Sequence, residues 1–545
     1  MDNRRIGKTF QLLAKIMELH SENPFKIRSY SGAYNTIRRY PSELSDLTRE
    51  ELLEIPGFGK NIVDKIEELQ ESGSLITLQR YLDITPDGIV DLLKMKGLGP
   101  KKIKAIWEKL GIESAGELLY ACEENRLVEI KGFGAKTQEN LKEQLVYFLD
   151  AQGKYLYGHV IDEAIELLDE LQSSFAKARF DFINDVRRQM PIVESIDILG
   201  TADAADVISY IRTLEGAEES EDGIQYRGTF IQYEETTEES YDTVLWEGSA
   251  SGDWLDTWEA RYPHDESSAE DEVRFDGVGC AYIPPESREN ELSIERALDG
   301  DLDLITDDDI RGVIHNHTTY SDGANTLRQM VEAAQSQGYN YMVITDHSQT
   351  AVYASGLKED DLVRQMHEIK ELNKELDDFK IYSGTESDIL SDGSLDYPSD
   401  LLSELDVVIA SVHSQLKMEE AKATDRLIKA ISHPATKILG HATGRLLLSR
   451  KGYPIDHAAV IDACDHYGVS IELNANPYRL DMDWTWIPYA IERGVLISIN
   501  PDAHNINGIS DIKYGVSAAR KALLRPSECL NTFTLADFEA WVRSK

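Results

Sequence analysis

The chain has 545 residues, 41% of them hydrophobic, which is enough for several domains with separate cores. It contains no apolar run of about eighteen residues, which excludes a membrane-spanning helix, and its start, M-D-N-R-R-I-G-K, is not that of a signal peptide. The cysteines lack C-x-x-C spacing, as expected of reduced thiols in a cytoplasmic protein; they are Cys122, Cys280, Cys464 and Cys529.

The formal net charge of −42 is concentrated in the middle of the chain, where residues 215–310 hold 30 Asp and Glu against 5 Arg and no Lys. A domain that grips DNA phosphates normally carries a basic surface. Either the partner is therefore not a nucleic acid, or the protein works in near-saturating salt, where the Debye length shrinks to about 3 Å or less. The local motifs favour the second explanation, a halophilic DNA-binding protein.

Residues 1–150 have helical periodicity and contain one short motif three times. The copies are I-P-G-F-G-K, M-K-G-L-G-P and I-K-G-F-G-A, beginning at residues 55, 95 and 130. The glycines free the backbone, so that N–H groups at the start of the following helix can face a phosphate. Unless these are three unrelated helix turns, they are similar to helix-hairpin-helix motifs, which grip the DNA backbone regardless of sequence. The predicted DNA-binding glycines are Gly57, Gly59, Gly97, Gly99, Gly132 and Gly134.

In the C-terminal part, seven apolar strand-like runs each end in residues that bind metals or phosphate. The first run ends in H-N-H, and residues two apart on a strand share a face, so both imidazoles are expected to point the same way. Alternating β and α segments predict parallel strands, whose carboxyl ends meet on one face of a β/α barrel. The residues expected to meet there are His315, His317, Asp322, His347, Glu386, His413, His441, Asp502 and His504.

This ligand set predicts a cluster of two or three divalent metals, because nine ligands exceed the needs of one ion. Imidazole and carboxylate without thiolate suit Zn, Mn or Fe. Glu386 is the natural bridging carboxylate. Arg445 and Arg479 lie just past strand ends and are candidates for contact with a phosphate, or else are surface arginines.

The motifs H-N-H-T-T-Y-S-D-G, I-T-D-H-S, G-T-E-S-D, S-V-H-S, G-H-A-T-G-R and N-P-D-A-H resemble the successive motifs of the PHP (polymerase and histidinol phosphatase) domain. The resemblance implies a distorted (β/α)7 barrel over residues 308–545, with a trinuclear site that hydrolyses phosphoesters. The nine residues above match the ligand positions of that family. Pro501 stands where Thr is common, at a position that is not a ligand.

Taken with the first two hairpin motifs and the PHP-like segment, E-N-P-F-K-I-R-S-Y at 22–30 and A-Y-I-P-P-E-S-R-E-N at 281–290 resemble a bacterial or archaeal X-family DNA polymerase. Lys65 matches the Schiff-base lysine of that family's lyase site, or is simply an exposed helix lysine. The resemblance implies a small all-α gap-binding domain, a fingers-like all-α region, an α+β nucleotidyltransferase-like palm with thumb, and the α/β PHP barrel, at 1–76, 77–150, 151–300 and 308–545.

The palm is where the sequence departs from that family, which uses Gly-Ser, then Asp-x-Asp, then a third Asp to hold two Mg²⁺ for nucleotidyl transfer. Here Asn184 and Asp185 replace Gly-Ser, and Ser195 replaces the first Asp, so that Asp197 remains. The third Asp position falls near Gln232.

Losing two of three metal carboxylates predicts weak or no templated synthesis, unless nearby glutamates at 234–239 substitute for them. Gly248 and Ser249, in W-E-G-S-A-S, are expected to keep part of the nucleotide-side loop. Binding of Mg²⁺ and dNTP at the palm is left open.

Together these patterns predict a monomeric DNA-repair protein of the base-excision type, acting on gapped, primer–template or abasic DNA. Its PHP domain would be a metal-dependent 3′→5′ exonuclease that also cleaves at abasic sites. The alternatives are an active gap-filling DNA polymerase, a small-molecule phosphatase like histidinol-phosphate phosphatase, and a non-catalytic DNA-binding scaffold.

Overall fold

The computed structural model describes residues 1–95, 97–123, 127, 130, 132–220, 223–263 and 271–544. The chain divides into two compact units, Met1–Gln152 with Leu448–Arg450, and Gly153–Leu447 with Lys451–Lys545. Within the described part of the chain no helix is long and apolar enough to cross a membrane. All four cysteines are buried.

The first unit is helical. Helix α1 shows why: its apolar side chains recur at helical spacing, and Ile6, Phe10, Leu13 and Met17 are all buried on one face. Asp2 caps its first turn by accepting a hydrogen bond from the backbone N–H of Arg5. The helices are α1 Asn3–Leu19, α2 Pro24–Arg39, α3 Arg49–Glu54, α4 Lys60–Ser72, α5 Ile76–Leu82, α6 Asp87–Leu92, α7 Pro100–Leu110, α8 Ala115–Glu123 and α9 Ala135–Asp150.

The second unit begins with an α+β region built on a five-stranded sheet of order β2-β4-β7-β6-β5, in which β4 and β7 are parallel and the other pairs antiparallel. Its elements are β1 Tyr155–Leu156, α10 Tyr157–Ser174, β2 Phe180–Phe182, α11 Asn184–Arg187, β3 Ile192–Val193, β4 Ile196–Gly200, α12 Ala204–Ile211, β5 Ala217–Ser220, β6 Gly223–Tyr226, β7 Thr229–Glu235, α13 Tyr241–Glu247, α14 Gly252–Arg261, α15 Asp271–Gly277 and α16 Glu291–Leu298.

One face of this sheet packs on a hydrophobic core and the other carries polar groups, because side chains alternate along each strand. Ile198 and Ile231 lie in the core. Asp197 pairs in register with Gln232 on the adjacent strand, so both project from the opposite face. This is the face on which the palm chemistry was predicted.

The rest of the second unit is a parallel barrel whose seven strands pair in sequence order, β8 to β14. Most strand residues are buried, as expected when helices cover a parallel sheet. The elements are β8 Gly312–Asn316, α17 Leu327–Ser336, β9 Tyr341–Ile344, α18 Glu359–Leu372, β10 Lys380–Asp388, α19 Ser399–Leu402, β11 Val407–Ser411, α20 Glu420–Ile431, β12 Thr436–Leu439, α21 His457–Tyr467, β13 Ser470–Asn474, α22 Ile487–Glu492, β14 Ile497–Asn500, α23 Ile512–Lys521 and α24 Leu535–Arg543.

Short 3₁₀ turns connect these elements, at Leu44–Asp46, Pro285–Ser287, Asp307–Asp309, Val352–Ala354, Trp484–Trp486, Asn507–Asp511, Pro526–Glu528 and Leu530–Thr532.

Two contacts bring the first and last barrel strands together. Asn316 forms a parallel bridge with Ala503. The buried amide of Asn531 donates to the carbonyls of Gly312 at 3.1 Å and Ile499 at 2.7 Å, and so links β8 to β14. The predicted seven-stranded parallel barrel is therefore confirmed, and it is nearly closed. Its closure brings the carboxyl ends of the strands into one ring.

The α+β region and the barrel are joined through α23. The ammonium group of Lys521 is fully buried and contacts the carboxylate of Glu289 at 2.9 Å and the carbonyl of Arg188 at 2.6 Å. Arg188 in turn pairs with Glu289 at 2.9 Å. Tyr514 donates a hydrogen bond of 3.0 Å to the carbonyl of Gly158, at the start of α10.

Candidate metal centre

The structure brings all nine predicted ligands together at the carboxyl end of the barrel, around Glu386 near the end of β10. One Glu386 oxygen lies 2.9 Å from His441 Nε2 and 3.0 Å from His413 Nε2, and the other lies 2.8 Å from His347 Nδ1. His315 Nε2 approaches the first of these oxygens at 3.3 Å. A carboxylate with imidazoles on both oxygens is placed to bridge metal ions.

Asp502 and Asp322 extend the cluster on its other side. Asp502 Oδ1 lies 3.2 Å from His317 Nε2, and Asp322 Oδ1 lies 3.4 Å from His504 Nε2 and 3.6 Å from His347 Nε2. Three groups of side chains could each hold one ion, and they share His317 and His347 between them. They are His317 with Asp322, His347 and His504; His315 with His317 and Asp502; and His347 with Glu386 and His413.

His315 and His317 face the centre for a different reason than the alternation predicted for a regular strand. The pairing of β8 with β9 shifts register between Val313 and Asn316, and His315 has a φ of 64°, in the left-handed region. Strand β8 also ends at Asn316, so His317 lies beyond it. A register shift that includes a left-handed residue re-aims the side chains at the strand end. Both imidazoles face the centre, as predicted, but the regular strand alternation given as the reason was wrong.

The centre fits divalent metals, because several of its buried ligand atoms are not otherwise used. Among the described residues, buried side-chain atoms without a hydrogen-bond partner include His315 Nε2, both ring nitrogens of His317, Asp322 Oδ1 and Glu386 Oε2. Leaving such atoms unsatisfied in a folded protein is costly. Nitrogen and oxygen donors without thiolate are the ligands that Zn, Mn and Fe accept.

The imidazoles and carboxylates of the centre shift one another's pKa values in both directions: buried carboxylates raise the pKa of His413 to about 10, whereas that of His317 is lowered. Burial and the neighbouring His504 and His347 lower the pKa of His317 to about 3, so its imidazole is neutral, which is the form that binds metal. Burial would raise the pKa of Glu386, but His413 and His347 hold it well below its ordinary value. The carboxylate is therefore ionised at neutral pH.

Glu472 and Asp388 orient the ligands, and neither was among the nine predicted ligands, although Asp388 lies in the G-T-E-S-D motif at a strand end. Glu472 is fully buried in β13 and lies 2.6 Å from His315 Nδ1, while Asp388 lies 2.6 Å from His413 Nδ1. A carboxylate on the far nitrogen fixes the tautomer and direction of a metal-binding imidazole. A glutamate inside an otherwise apolar strand was the signal for Glu472.

Asp346 shapes the turn that delivers Asp322. It is fully buried and accepts hydrogen bonds from the backbone N–H groups of Thr318 at 2.8 Å and Ser321 at 3.1 Å. These bonds hold the T-T-Y-S turn in place immediately before Asp322. These hydrogen bonds engage the carboxylate of Asp346, which explains why Asp346 is not placed as a ligand.

The two predicted phosphate-contacting arginines lie in different surroundings. The guanidinium of Arg479 reaches the centre, with Nε 3.3 Å from Asp502 Oδ2. That of Arg445 instead contacts the backbone carbonyls of Arg479 and Leu480 and the carboxylate of Asp483. Arg445 therefore holds the loop on which Arg479 lies.

In the first unit, the three glycine motifs have the same backbone geometry. Their first glycines have φ values of 91°, 87° and 100°, which only glycine adopts readily. Their second glycines are the N-cap residues of α4, α7 and α9, and none of these three helices has a side-chain hydrogen bond at its N-cap. Three helix N-termini are thus left able to face an anion. The glycines, in order, are Gly57, Gly97 and Gly132, and then Gly59, Gly99 and Gly134; Lys131 of the third motif lies outside the described residues.

Comparison with known proteins agrees with both regions. Family models match residues 1–75 as a helix-hairpin-helix domain, 89–146 as a SAM-like helix-hairpin-helix tandem, and 314–472 as a PHP domain. The chain is 33% identical over 577 aligned positions to the DNA polymerase/3′-5′ exonuclease PolX of Bacillus subtilis, and the alignment covers 100% of both chains.

The chain belongs to the PolX family. The resemblance to X-family polymerases with a C-terminal PHP domain is thereby confirmed. Over 40% of the chain it is also 27% identical to a protein named probable phosphatase from Thermoanaerobacter sp., covering 89% of that protein. A similar relative from Caldanaerobacter subterraneus is 28% identical over 35% of the chain and 74% of its own length.

The predicted palm region retains one half-buried carboxylate at the expected place, and that carboxylate has polar partners within the protein. Asp197 accepts hydrogen bonds from the hydroxyl of Ser195 and, at 3.0 Å, from the amide of Asn184. Burial raises the pKa of Asp197, which opposes its ionisation. Gln232 lies directly opposite on β7, at the position predicted for the third Asp.

Gly248 and Ser249 are packed into the same region. The carbonyl of Gly248 accepts a 2.6 Å hydrogen bond from the N–H of Asn184, and a side chain at Gly248 would lie 2.7 Å from Ile183. The hydroxyl of Ser249 is buried; it donates to the carbonyl of Leu245 and accepts from Arg187 at 2.6 Å. Both residues thus support the palm from within.

Lys65, the predicted lyase nucleophile, is half-buried on α4 and forms an ion pair with Glu68 one turn later. Glu68 also accepts a 2.7 Å hydrogen bond from the N–H of Ile76. The ammonium group therefore has a fixed carboxylate partner.

Proposed function

We propose that this protein is a metal-dependent 3′→5′ exonuclease of DNA repair, with cleavage at abasic sites, and that the barrel is its active site. The observation that carries the proposal is the convergence of nine imidazole and carboxylate side chains on one centre, with buried ligand atoms left unsatisfied among the described residues. Several independent structural histidines would not leave so many unused donors in one place.

The ligands in this proposal are the nine residues of the centre, with Glu386 bridging. The ions are two or three of Zn, Mn or Fe. Such ions supply Lewis acidity toward a phosphodiester and compensate its developing negative charge. Arg479 would add a fixed cation beside Asp502 to hold a phosphate oxygen. Glu472 and Asp388 keep the imidazoles of His315 and His413 aimed at the cluster.

We also propose that the three glycine motifs bind the DNA backbone through their helix N-termini, whatever the sequence. The acidic surface would then be an adaptation to concentrated salt, which screens its repulsion from DNA. The net charge of −42 supports this, and DNA binding measured in 0.1 M and 2 M KCl tests it. An affinity that falls between these salts by the several orders of magnitude typical of a mesophilic protein would exclude the halophilic reading.

The palm, in this proposal, polymerises weakly or not at all and serves mainly to hold the structure together. Asp197 has polar partners in place of a second carboxylate, and Gln232 is neutral. Within the described residues, every group of three or more close His, Cys, Asp or Glu ligands lies in the barrel. A palm without clustered carboxylates lacks the means to hold two Mg²⁺.

The deciding experiment uses a 5′-labelled primer–template and a one-nucleotide gap, with Mn²⁺ or Zn²⁺, in low and in molar KCl, each with and without dNTPs. The proteins are wild type, the double variant His315→Ala/His317→Ala, and Asp197→Asn as the matched palm control. Shortening by wild type and Asp197→Asn that disappears in the double variant supports the proposal. Primer extension that requires Asp197 supports a gap-filling polymerase instead, and DNA binding without turnover supports a scaffold.

A second candidate, hydrolysis of small phosphomonoesters, is favoured by the relatives named probable phosphatases, which align with 40% and 35% of the chain. Comparing the rate constants for a short oligonucleotide and for a nucleoside monophosphate distinguishes the two. A phosphatase prefers the terminal phosphate, whereas an exonuclease prefers the internal diester.

A further inference from the structure

Two loops at the carboxyl end of the barrel are clamped to each other. One follows β12 and contains Arg445; the other follows β13 and covers residues 476–483. The guanidinium of Arg445 donates to the carbonyl of Arg479 at 2.9 Å, to the carbonyl of Leu480, and to Asp483 at 2.5 Å. In return, the fully buried carboxylate of Asp481 accepts from the backbone N–H groups of Thr443 at 3.1 Å and Arg445 at 3.3 Å.

The clamped loop carries Arg479 to the metal centre. Its Nε lies 3.3 Å from Asp502 Oδ2, on the carboxylate whose other oxygen approaches His317. Arg445 and Arg479 therefore have different roles. Arg445 has all three nitrogens of its guanidinium engaged within the protein, whereas Arg479 stands at the reacting site.

The opposite side of the same loop is supported by the start of α10. An added Cβ at Gly158 would lie 2.9 Å from the Cβ of Pro477, and the rings of His159 and Tyr478 are 4.6 Å apart, edge to face. Tyr514 fixes the position of Gly158 by donating to its carbonyl at 3.0 Å. The loop is thus held from both sides.

We propose that Arg445 is a positioning residue for the phosphodiesterase reaction: it fixes the 476–483 loop so that the guanidinium of Arg479 meets the phosphate group held at the metal centre. This rests on the function proposed above. A displacement of about 1 Å in a charge-bearing group at a reacting site can lower the rate by about 100-fold. A lysine at 445 cannot reproduce three directed contacts, so it is not a conservative replacement.

The test is a double-mutant cycle on the full chain, with Arg445→Ala, Arg479→Ala, the double variant and Arg445→Lys. Arg328→Ala, which removes an exposed arginine paired with Glu375, is the matched control. Rates of manganese-dependent cleavage of a short oligonucleotide are measured beside bound manganese per chain. Arg479→Ala and Arg445→Ala are each expected to lose about 100-fold in kcat. The double variant is expected to lose no more than about twofold beyond Arg479→Ala, as coupled sites do, with bound manganese unchanged.

Losses that multiply in the double variant overturn the proposal, because Arg445 would then act independently of Arg479. Gly158→Ala disturbs the loop from its other side and is expected to lower kcat without changing bound manganese; an unchanged kcat contradicts the loop's role. The same cycle is measured as the Kd of inorganic phosphate for the manganese-loaded protein. If wild type cleaves no DNA, the proposed function fails, while equal, non-additive losses in phosphate affinity still support the positioning role.

Discussion

The barrel centre and the palm both place a carboxylate on a strand that leads to a polar cleft, and they differ in what surrounds it. Glu386 is surrounded by the imidazoles of His347, His413 and His441, and among the described residues its Oε2 has no hydrogen-bond partner. Asp197 is hydrogen-bonded by Ser195 and Asn184 and lies opposite Gln232. Whether a carboxylate can bind a metal therefore depends more on the side chains around it than on the carboxylate alone.

The largest expected difference between the two regions is in catalysis. Glu386→Gln should lower exonuclease activity by more than about 100-fold, because even outer partners of metal ligands typically contribute 10–100-fold. Asp197→Asn, the equivalent change in the palm, should stay within about twofold. Both are measured on a 5′-labelled oligonucleotide with Mn²⁺, beside bound manganese per chain. Similar losses of activity in Glu386→Gln and Asp197→Asn would contradict the proposal that catalysis takes place at the barrel centre and not at the palm.

The next effect concerns the carboxylates behind the ligands. Glu472→Gln removes the anion on His315 Nδ1 and should weaken metal affinity by about 10–100-fold. Chelator competition measures this directly. Glu375→Gln, an exposed glutamate paired with Arg328, serves as control. Unchanged affinity in Glu472→Gln would mean that His315 is oriented by packing alone.

A third prediction concerns whether added carboxylates give the palm the capacity to bind metal that the barrel centre is proposed to have. Ser195→Asp combined with Gln232→Asp restores carboxylates on both sides of Asp197, and should raise Mg²⁺-dependent primer extension by about tenfold or more. The His315→Ala/His317→Ala background keeps the product from being degraded. Extension by the unmodified palm at the same rate would show that it already binds its ions.

The smallest effect is on stability. Burial raises the folded-state pKa of Asp197, so the folded protein holds this proton more tightly than the unfolded chain. The protonated Asp197 carboxyl therefore contributes its full stabilisation below the pKa of the unfolded chain, near 4. This stabilisation is lost as the pH rises through the pKa of Asp197 in the folded protein. The difference in Tm between Asp197→Asn and wild type should consequently shift in favour of the variant as the pH is raised from 4 to 7. A constant difference in Tm across that range would contradict this.

Sequence alone predicted the barrel and the nine side chains that meet at its carboxyl end, because apolar runs ending in histidine or carboxylate are local patterns. It could not predict the register shift at His315, because that shift depends on the pairing of β8 with β9. Glu472 was missed because its partner His315 is 157 residues away. The loop-holding contacts of Arg445 likewise join segments that are separate in sequence.

The buried contact between Lys521, Glu289 and the Arg188 carbonyl bears on how such a protein can evolve. Removing the middle region would leave an ammonium group inside the barrel's flank without its acceptors, at a cost that a folded domain tolerates poorly. Substitutions on the polar face of the palm would therefore leave this contact intact, whereas deletion of the middle region would destabilise the barrel. A lineage that abandons polymerisation would still inherit the polymerase scaffold.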